Sequence, residues 1–268
     1  ELLPTGGGQN AVDFVATGTL ASGVTVVLKT DGTVEAVAGV AGGGGTPTVF
    51  GASTELSSVP SIVYDTLNDK VVISYAENTS CYSVVGTVSG TSISFGTPVS
   101  FGANAFSGAN AGISSAFDSN SNKVVVTFKD SSNSNYVTIR VGTVSGTSIS
   151  FGSALHEYIP IDSETATVFD STNNKIVVFF RNTFNNTGGC QVGTVSGTSI
   201  SLGAQQTFVA ATAYPQYMSA VFDSDSGKTV TVYRAVGSNN NYGTAFVGTV
   251  SGTGISFGTS VVYESSDS

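Results

Sequence analysis

Side chains able to do chemistry are scarce in this chain, and their spacing limits what they can do. His156 is the only histidine. One imidazole cannot make a histidine-rich metal centre, and it leaves a Ser-His-Asp triad a single candidate base. His156 follows an outer strand and reads as an exposed connecting residue. Clustered arginines bind carboxylates, so Arg140, Arg181 and Arg234 are the next candidates. Arg181 and Arg234 hold the same place in successive copies of a repeat, where Lys129 and Ala76 stand in other copies, and duplication accounts for them. Arg140 belongs to a different strand. Glycoside hydrolysis needs two carboxyl groups a few ångströms apart. Asp65, Asp118, Asp170 and Asp223 instead recur once per repeat, and repetition spreads them apart. Neither glycine-rich phosphate-loop pattern occurs. No catalytic residues are expected, and the chain reads as a non-enzyme.

The same aspartates raise calcium as a question. Asp118-Ser-Asn120-Ser-Asn122 and Asp223-Ser-Asp225-Ser-Gly227 place oxygens at alternate positions, as a calcium loop begins. The ninth positions are Val126 and Thr231, and no Glu stands at the twelfth. Hairpin turns in which Asp bonds its own backbone explain the pattern without metal, so no metal and no cofactor are expected. Cys81 and Cys190 have no metal-ligand spacing and read as buried free thiols. Eighteen acidic against nine basic residues give a net charge of −9, which argues against a nucleic-acid partner. No apolar run is long enough to span a bilayer, so membrane insertion is not expected.

The better candidate is a surface. Loops at 78–80, 131–135, 182–188 and 237–241 vary in sequence while the segments around them repeat. In or beside them lie Asn78, Asn133, Asn135, Tyr136, Asn185, Asn186, Asn239, Asn240, Asn241 and Tyr242, and Phe184 as well. Amides bond sugar hydroxyls and aromatic faces stack on sugar rings, so these ten residues are the candidate binding set. Turn chemistry alone also accounts for the Asn and Ser.

The elements holding these loops follow from the repeat. Val-Gly-Thr-Val-Ser-Gly-Thr begins at Val85, Val141, Val192 and Val247, at steps of 56, 51 and 55 residues. An aromatic-Asp pair recurs at Tyr64-Asp65, Phe117-Asp118, Phe169-Asp170 and Phe222-Asp223, at steps of 53, 52 and 53. Two landmarks in one register mean four copies of one unit. In the second copy, 111–117 and 123–129 read as strands joined by the turn 118–122. A third strand covers 136–144. Ser145-Gly146 turns it back into an outer strand over 147–152. Val124, Val126 and Phe128 make one face of the second strand apolar and Val125 the other, as a sheet sandwiched between neighbours needs. Gly112, Ser114 and Ala116 put small residues on one side of the first strand, as crowding near an axis favours.

The expected fold class is all-β: a β-propeller of four-stranded antiparallel blades, at 57–101, 110–156, 162–208 and 216–263. An elongated stack of units is the alternative. Ahead of these blades, 14–19, 24–29 and 33–37 read as strands, with Thr30-Asp31-Gly32 as a turn. Residues 46–51 (TPTVFG) resemble the end of an outer strand. Residues 1–45 are therefore a degenerate first blade, closing a five-bladed ring, or a small separate module with Gly42–Gly45 as linker. The region 46–268 carries the four repeats. Starting at Glu1 without an initiator Met or a signal-peptide pattern, the chain reads as processed or as a segment of a longer product.

The string VGTVSGTSISFG at 85–96 and 141–152, alternating with FDSNSNKVVV at 117–126, resembles the tandem repeats of tail-fibre-like appendage proteins of marine bacteriophages, including cyanophages. The opening ATGTLASGVTVVLKTDGTVEAV at 16–37 looks like the head of such proteins and like small β modules of capsid-decorating proteins. The resemblance spans nearly the whole chain and carries no catalytic residues with it. It implies a virion structural protein at the virion surface: a tail fibre, a capsid-decorating component or a receptor-binding component. Its partners would be other virion proteins and host surface glycans, with a homo-oligomer left open. The alternative is a carbohydrate-binding lectin or an adhesin, extracellular or on a bacterial surface.

Overall fold

In a computed structural model, residues 15–16, 26–36, 48–51, 56, 58–103, 112–237 and 241–265 are described. The chain forms two compact units, Glu1–Pro47 and Thr48–Ser268. In the first, strands β1 (Val26–Leu28) and β2 (Val34–Ala36) pair antiparallel. Gly32, at φ 83, lets the chain reverse between them, and Asp31 Oδ1 accepts from the Thr33 amide at 2.9 Å. Both strands lie inside the segments expected from sequence. The strand expected at 14–19 and the glycine run 42–45 fall largely or wholly outside the described residues.

The second unit repeats one sheet four times. Blade 1 holds β3 (Ser61–Asp65), β4 (Lys70–Glu77), β5 (Ser80–Ser89), β6 (Ser92–Phe95) and β7 (Val99–Ala103). Blade 2 holds β8 (Ile113–Asp118), β9 (Lys123–Asp130), β10 (Tyr136–Ser145), β11 (Ser148–Phe151) and the start of β12 (Leu155–Asp170). The rest of β12 opens blade 3, followed by β13 (Lys175–Asn182), β14 (Thr187–Ser196), β15 (Ser199–Leu202) and β16 (Gln206–Val209). Blade 4 holds β17 (Pro215–Asp223), β18 (Lys228–Ala235), β19 (Gly243–Ser251), β20 (Gly254–Phe257) and β21 (Val261–Glu264). All pairing within blades is antiparallel, and no α-helix occurs among the described residues.

The outer strand differs from its expected form. It is two half-strands, both paired to the third strand: Thr143 faces Ser150 of β11, and Thr138 faces His156 of β12. A register shift in the second half marks a bulge in every blade. The bulge turns one large apolar residue toward the next blade. Phe101 sits 5.1 Å from the Phe128 ring and 5.3 Å from Phe151. Ile159 packs into the cluster that joins blades 2 and 3. Phe208 reaches Tyr233 at 5.9 Å and Phe257 at 5.6 Å.

Three glycines of the repeated string have separate physical reasons. Gly146, at φ 60, makes the β10–β11 hairpin, and Gly90, Gly197 and Gly252 do the same in the other blades. A side chain at Gly142 would strike Ile149 and Phe151 of the adjoining half-strand. A Cβ at Gly152 would fall on the Thr198 carbonyl of blade 3; Gly96 meets Thr147 and Gly203 meets Thr253 in the same way. The string therefore encodes its hairpin, its packing and its contact with the next blade together.

Every residue of β9 after Lys123 is buried, as the two-faced apolar pattern predicts. In β18 burial alternates instead: Thr229, Thr231 and Tyr233 face blade 3, while Val230 and Val232 stay half-exposed. Hydroxyls join the innermost strands of neighbouring blades. Ser61 pairs with Ser115 at 2.7 Å, and Ser114 with Thr167 at 2.7 Å. Small residues on these strands are what let the backbones approach.

Candidate functional site

The hairpins between second and third strands lie at corresponding positions of the four blades, and the candidate asparagines fall in them. Asn78, Asn135, Asn186 and Asn241 all have left-handed backbone, at φ 53, 60, 57 and 63. Asn is among the few non-glycine residues that tolerate this region, so conformation alone selects it. The Asn135 amide donates to the Asp130 carbonyl at 3.0 Å, closing its loop. Asn185 Oδ1 accepts from the Thr187 hydroxyl at 2.7 Å and from its amide at 3.2 Å. Asn186 Oδ1 accepts from Arg181 at 3.3 Å. Asn133 is half-buried in a 3-10 turn (Ser131–Asn133) capped by Asp130. The Tyr242 carbonyl receives the Ala235 amide at 2.9 Å. Asn239 and Asn240 lie outside the described residues.

Tyr136 is the exception with a wider setting. Its ring meets Tyr158 edge-on at 5.6 Å, and Tyr158 is 85% exposed. Tyr158 stands at the bulge of β12 and borders a cleft of about 500 Å3 shared with Glu157, Gln191 and Gln205. Gln191 is buried and donates to Glu157 Oε2 at 3.0 Å and to the Gly203 carbonyl at 3.3 Å. Tyr158 was not identified in the sequence because the bulge that exposes it has no regular residue pattern. Gln191 stands where Arg140 stands in blade 2, each directly before the repeated Val-Gly-Thr-Val string.

The charged groups are engaged close to home. His156 lies within β12 and not in a connection, with Nδ1 3.0 Å from the Thr138 hydroxyl and 3.9 Å from Asp130 Oδ2. Arg181 reaches Asp162 at 3.4 Å and lies over the Tyr214 ring at 4.2 Å. Arg234 lies over Tyr217 at 5.9 Å, and Arg140 donates to the Gly152 carbonyl at 3.4 Å. Burial lowers the Lys129 ammonium pKa below its ordinary value, against the pull of Asp162.

Each repeated Asp is bound by its own turn. Asp118 Oδ1 accepts from the Asn120 and Ser121 amides, and Oδ2 from the Ser121 hydroxyl at 2.7 Å. Asp65, Asp170 and Asp223 repeat the arrangement. Turn chemistry therefore accounts for the alternating oxygens that resembled a calcium loop. Cys81 and Cys190 are free and fully buried, and burial pushes both thiols up to about 12. A second cavity, of about 350 Å3, lies among the inner strands of all four blades. Ser61, Ser114, Ser115, Thr165, Thr167 and Ser219 line it with hydroxyls, and no charged group does.

No family model and no curated protein matches the chain. Solved structures do. A crystal structure of the K499G mutant of NanB sialidase from Streptococcus pneumoniae matches with a TM-score of 0.51 at 12% identity, over 66% of this chain and 27% of that one. Leech intramolecular trans-sialidase, complexed with 2,7-anhydro-Neu5Ac, gives 0.46 at 12% identity, over 62% and 26%. The chain thus spans about a quarter of the length of these proteins. At such identity the NanB likeness concerns the fold alone. Together with four antiparallel blades, it shows an all-β, β-propeller-like fold.

Proposed function

We propose that this chain is a non-enzymatic virion protein, a tail-fibre, capsid-decorating or receptor-binding component, that presents variable hairpins on a propeller-like scaffold. The observation that carries the reading is a constant frame with changing tips. Hairpins between second and third strands run to two residues at 78–79, five at 131–135, four at 183–186 and seven at 236–242. Phe184 at one tip is 87% exposed. A rigid sheet with free loops is the usual way to vary recognition without changing the fold. The non-enzymatic part is supported by the arginines and His156, each held by neighbours in its own or the adjoining blade. Antibodies against the chain should label intact phage particles purified from the source sample. Recovery from cell envelopes alone would sink the reading.

A second reading, a carbohydrate-binding module or surface adhesin, is favoured by one observation, the exposed Tyr158 beside a cleft lined by Glu157, Gln191 and Gln205 together with Ile159 and Leu202. Aromatic faces with carboxamide and carboxylate neighbours suit neutral sugar rings. Glycan-array binding lost in Tyr158→Ala, with folding intact, would promote it under either owner.

A further inference from the structure

The three contacts between blades share one design with a direction. The earlier blade gives a bulge residue (Phe101, Ile159 or Phe208), an apolar face, and a glycine that lies on a carbonyl of the next blade. The later blade gives an aromatic-lined hole, a second apolar face and that carbonyl. The giving half is built a fourth time on blade 4. Tyr263 stands at the bulge between Val262 and Glu264, the register position of Phe101 and Phe208. Val221, Val247, Val261 and Tyr263 are 47–62% exposed. Gly258, equivalent to Gly96, Gly152 and Gly203, meets only the Val247 carbonyl of its own blade, at 3.9 Å.

The receiving half stands on blade 1, at the other end of the array. Ile62, Tyr64 and Val88 occupy the positions of Ser115, Phe117 and Val144 and are 52–63% exposed. Thr91, the counterpart of Thr147, is exposed as well. Its hole already holds a ring. Phe50 sits 5.0 Å from Tyr75 and 5.4 Å from Phe95, reproducing the Phe101 arrangement. Residues 48–51, which carry Phe50, belong to no strand, and the Tyr75 hydroxyl donates to the Phe50 carbonyl at a long 3.4 Å.

We propose that blade 4 of one copy docks on blade 1 of a second copy, with Tyr263 replacing Phe50 in the Tyr75–Phe95 hole. The occupant is a second copy because the two halves, unmated among the described residues, are complementary, belong to one chain and continue an interface already made three times. Two different patches meeting in this way form a heterologous contact, which propagates head to tail. Phe50 then acts as a removable plug that holds single chains apart. The proposal goes beyond the virion reading and does not depend on it.

The test is sedimentation of the full chain up to ~100 µM, where interfaces of ordinary size reveal themselves. The native chain should form species of rising mass, and Phe50→Ala should form them at lower concentration. Tyr263→Ala and Gly258→Leu should each give single chains, as should Ile62→Glu at the other end. Because all but Phe50 are exposed in the single chain, folding is expected to survive and is checked by circular dichroism. Mixing Tyr263→Ala with Ile62→Glu leaves one intact pair of halves, and a discrete dimer should return. A native chain that stays single at every concentration overturns the proposal. That is the result expected if residues 1–45 are a degenerate blade that closes a five-bladed ring within one chain. Assembly unaffected by these variants, or mixtures that form no dimer, overturns it equally.

Discussion

At the scale of single residues, repetition separates structural roles from functional ones. Position by position, Asn78, Asn135, Asn186 and Asn241 share a left-handed backbone, so their recurrence reports turn geometry. The repeated Asp residues are likewise turn ligands, and Asp223 has a measurable consequence. The Ser226 hydroxyl at 2.6 Å, then the Asp225 and Ser226 amides, hold its carboxyl below the usual 3.8. A depressed folded-state pKa stabilises the fold above the unfolded value, and that contribution is lost as pH falls through the folded one. Carboxyl-carbon NMR should therefore show Asp223 titrating below 3.8, and Ser226→Ala should move the midpoint upward. An unmoved midpoint would remove the hydroxyl as the main cause. Of the candidate site, the loops were legible from sequence because turn formers mark themselves. Tyr158 was not, because its exposure depends on a bulge set by pairing between distant strands.

At the scale of the strand and the blade, the period of the repeat and the two-faced β9 were legible because burial on both sides leaves an unbroken apolar run. The split outer strand was not. Gly152 reads as a strand end, and the second half-strand at 155–160 merges with the inner strand that follows. The bulge residues escaped for the same reason as Tyr158, since nothing local distinguishes Phe101 from an ordinary strand aromatic. Gly152, Gly203 and Gly258 look identical in sequence, yet the structure gives them different consequences. Gly203→Ala would drive a Cβ into the Thr253 carbonyl and should cost about 1–3 kcal/mol of stability in urea unfolding. Gly258→Ala, with open space beside it in the single chain, should stay within about 0.5 kcal/mol. Equal losses at both positions would contradict the contact assigned to Gly203.

For the molecule as a whole, stability in the repeat unit is a chain of neighbour contacts. The two thiols are placed to read it. Cys81 lies in the core between blades 1 and 2, and Cys190 in the core between blades 3 and 4. Both should resist a thiol reagent in the native state, because burial disfavours the thiolate and blocks access. Measured against denaturant, they should become reactive together if the four blades open as one, and in sequence if the array frays from an end. Ready reaction of either thiol without denaturant would contradict its burial.

The continuous β12 adds a mechanical consequence. Its sixteen residues run from the outer edge of blade 2 to the innermost position of blade 3 with no loop between. Tension along the chain there is borne by a strand hydrogen-bonded to both sheets. Blades 2 and 3 are thus spliced into one load-bearing piece. Under pulling they should hold together after the terminal blades have peeled away.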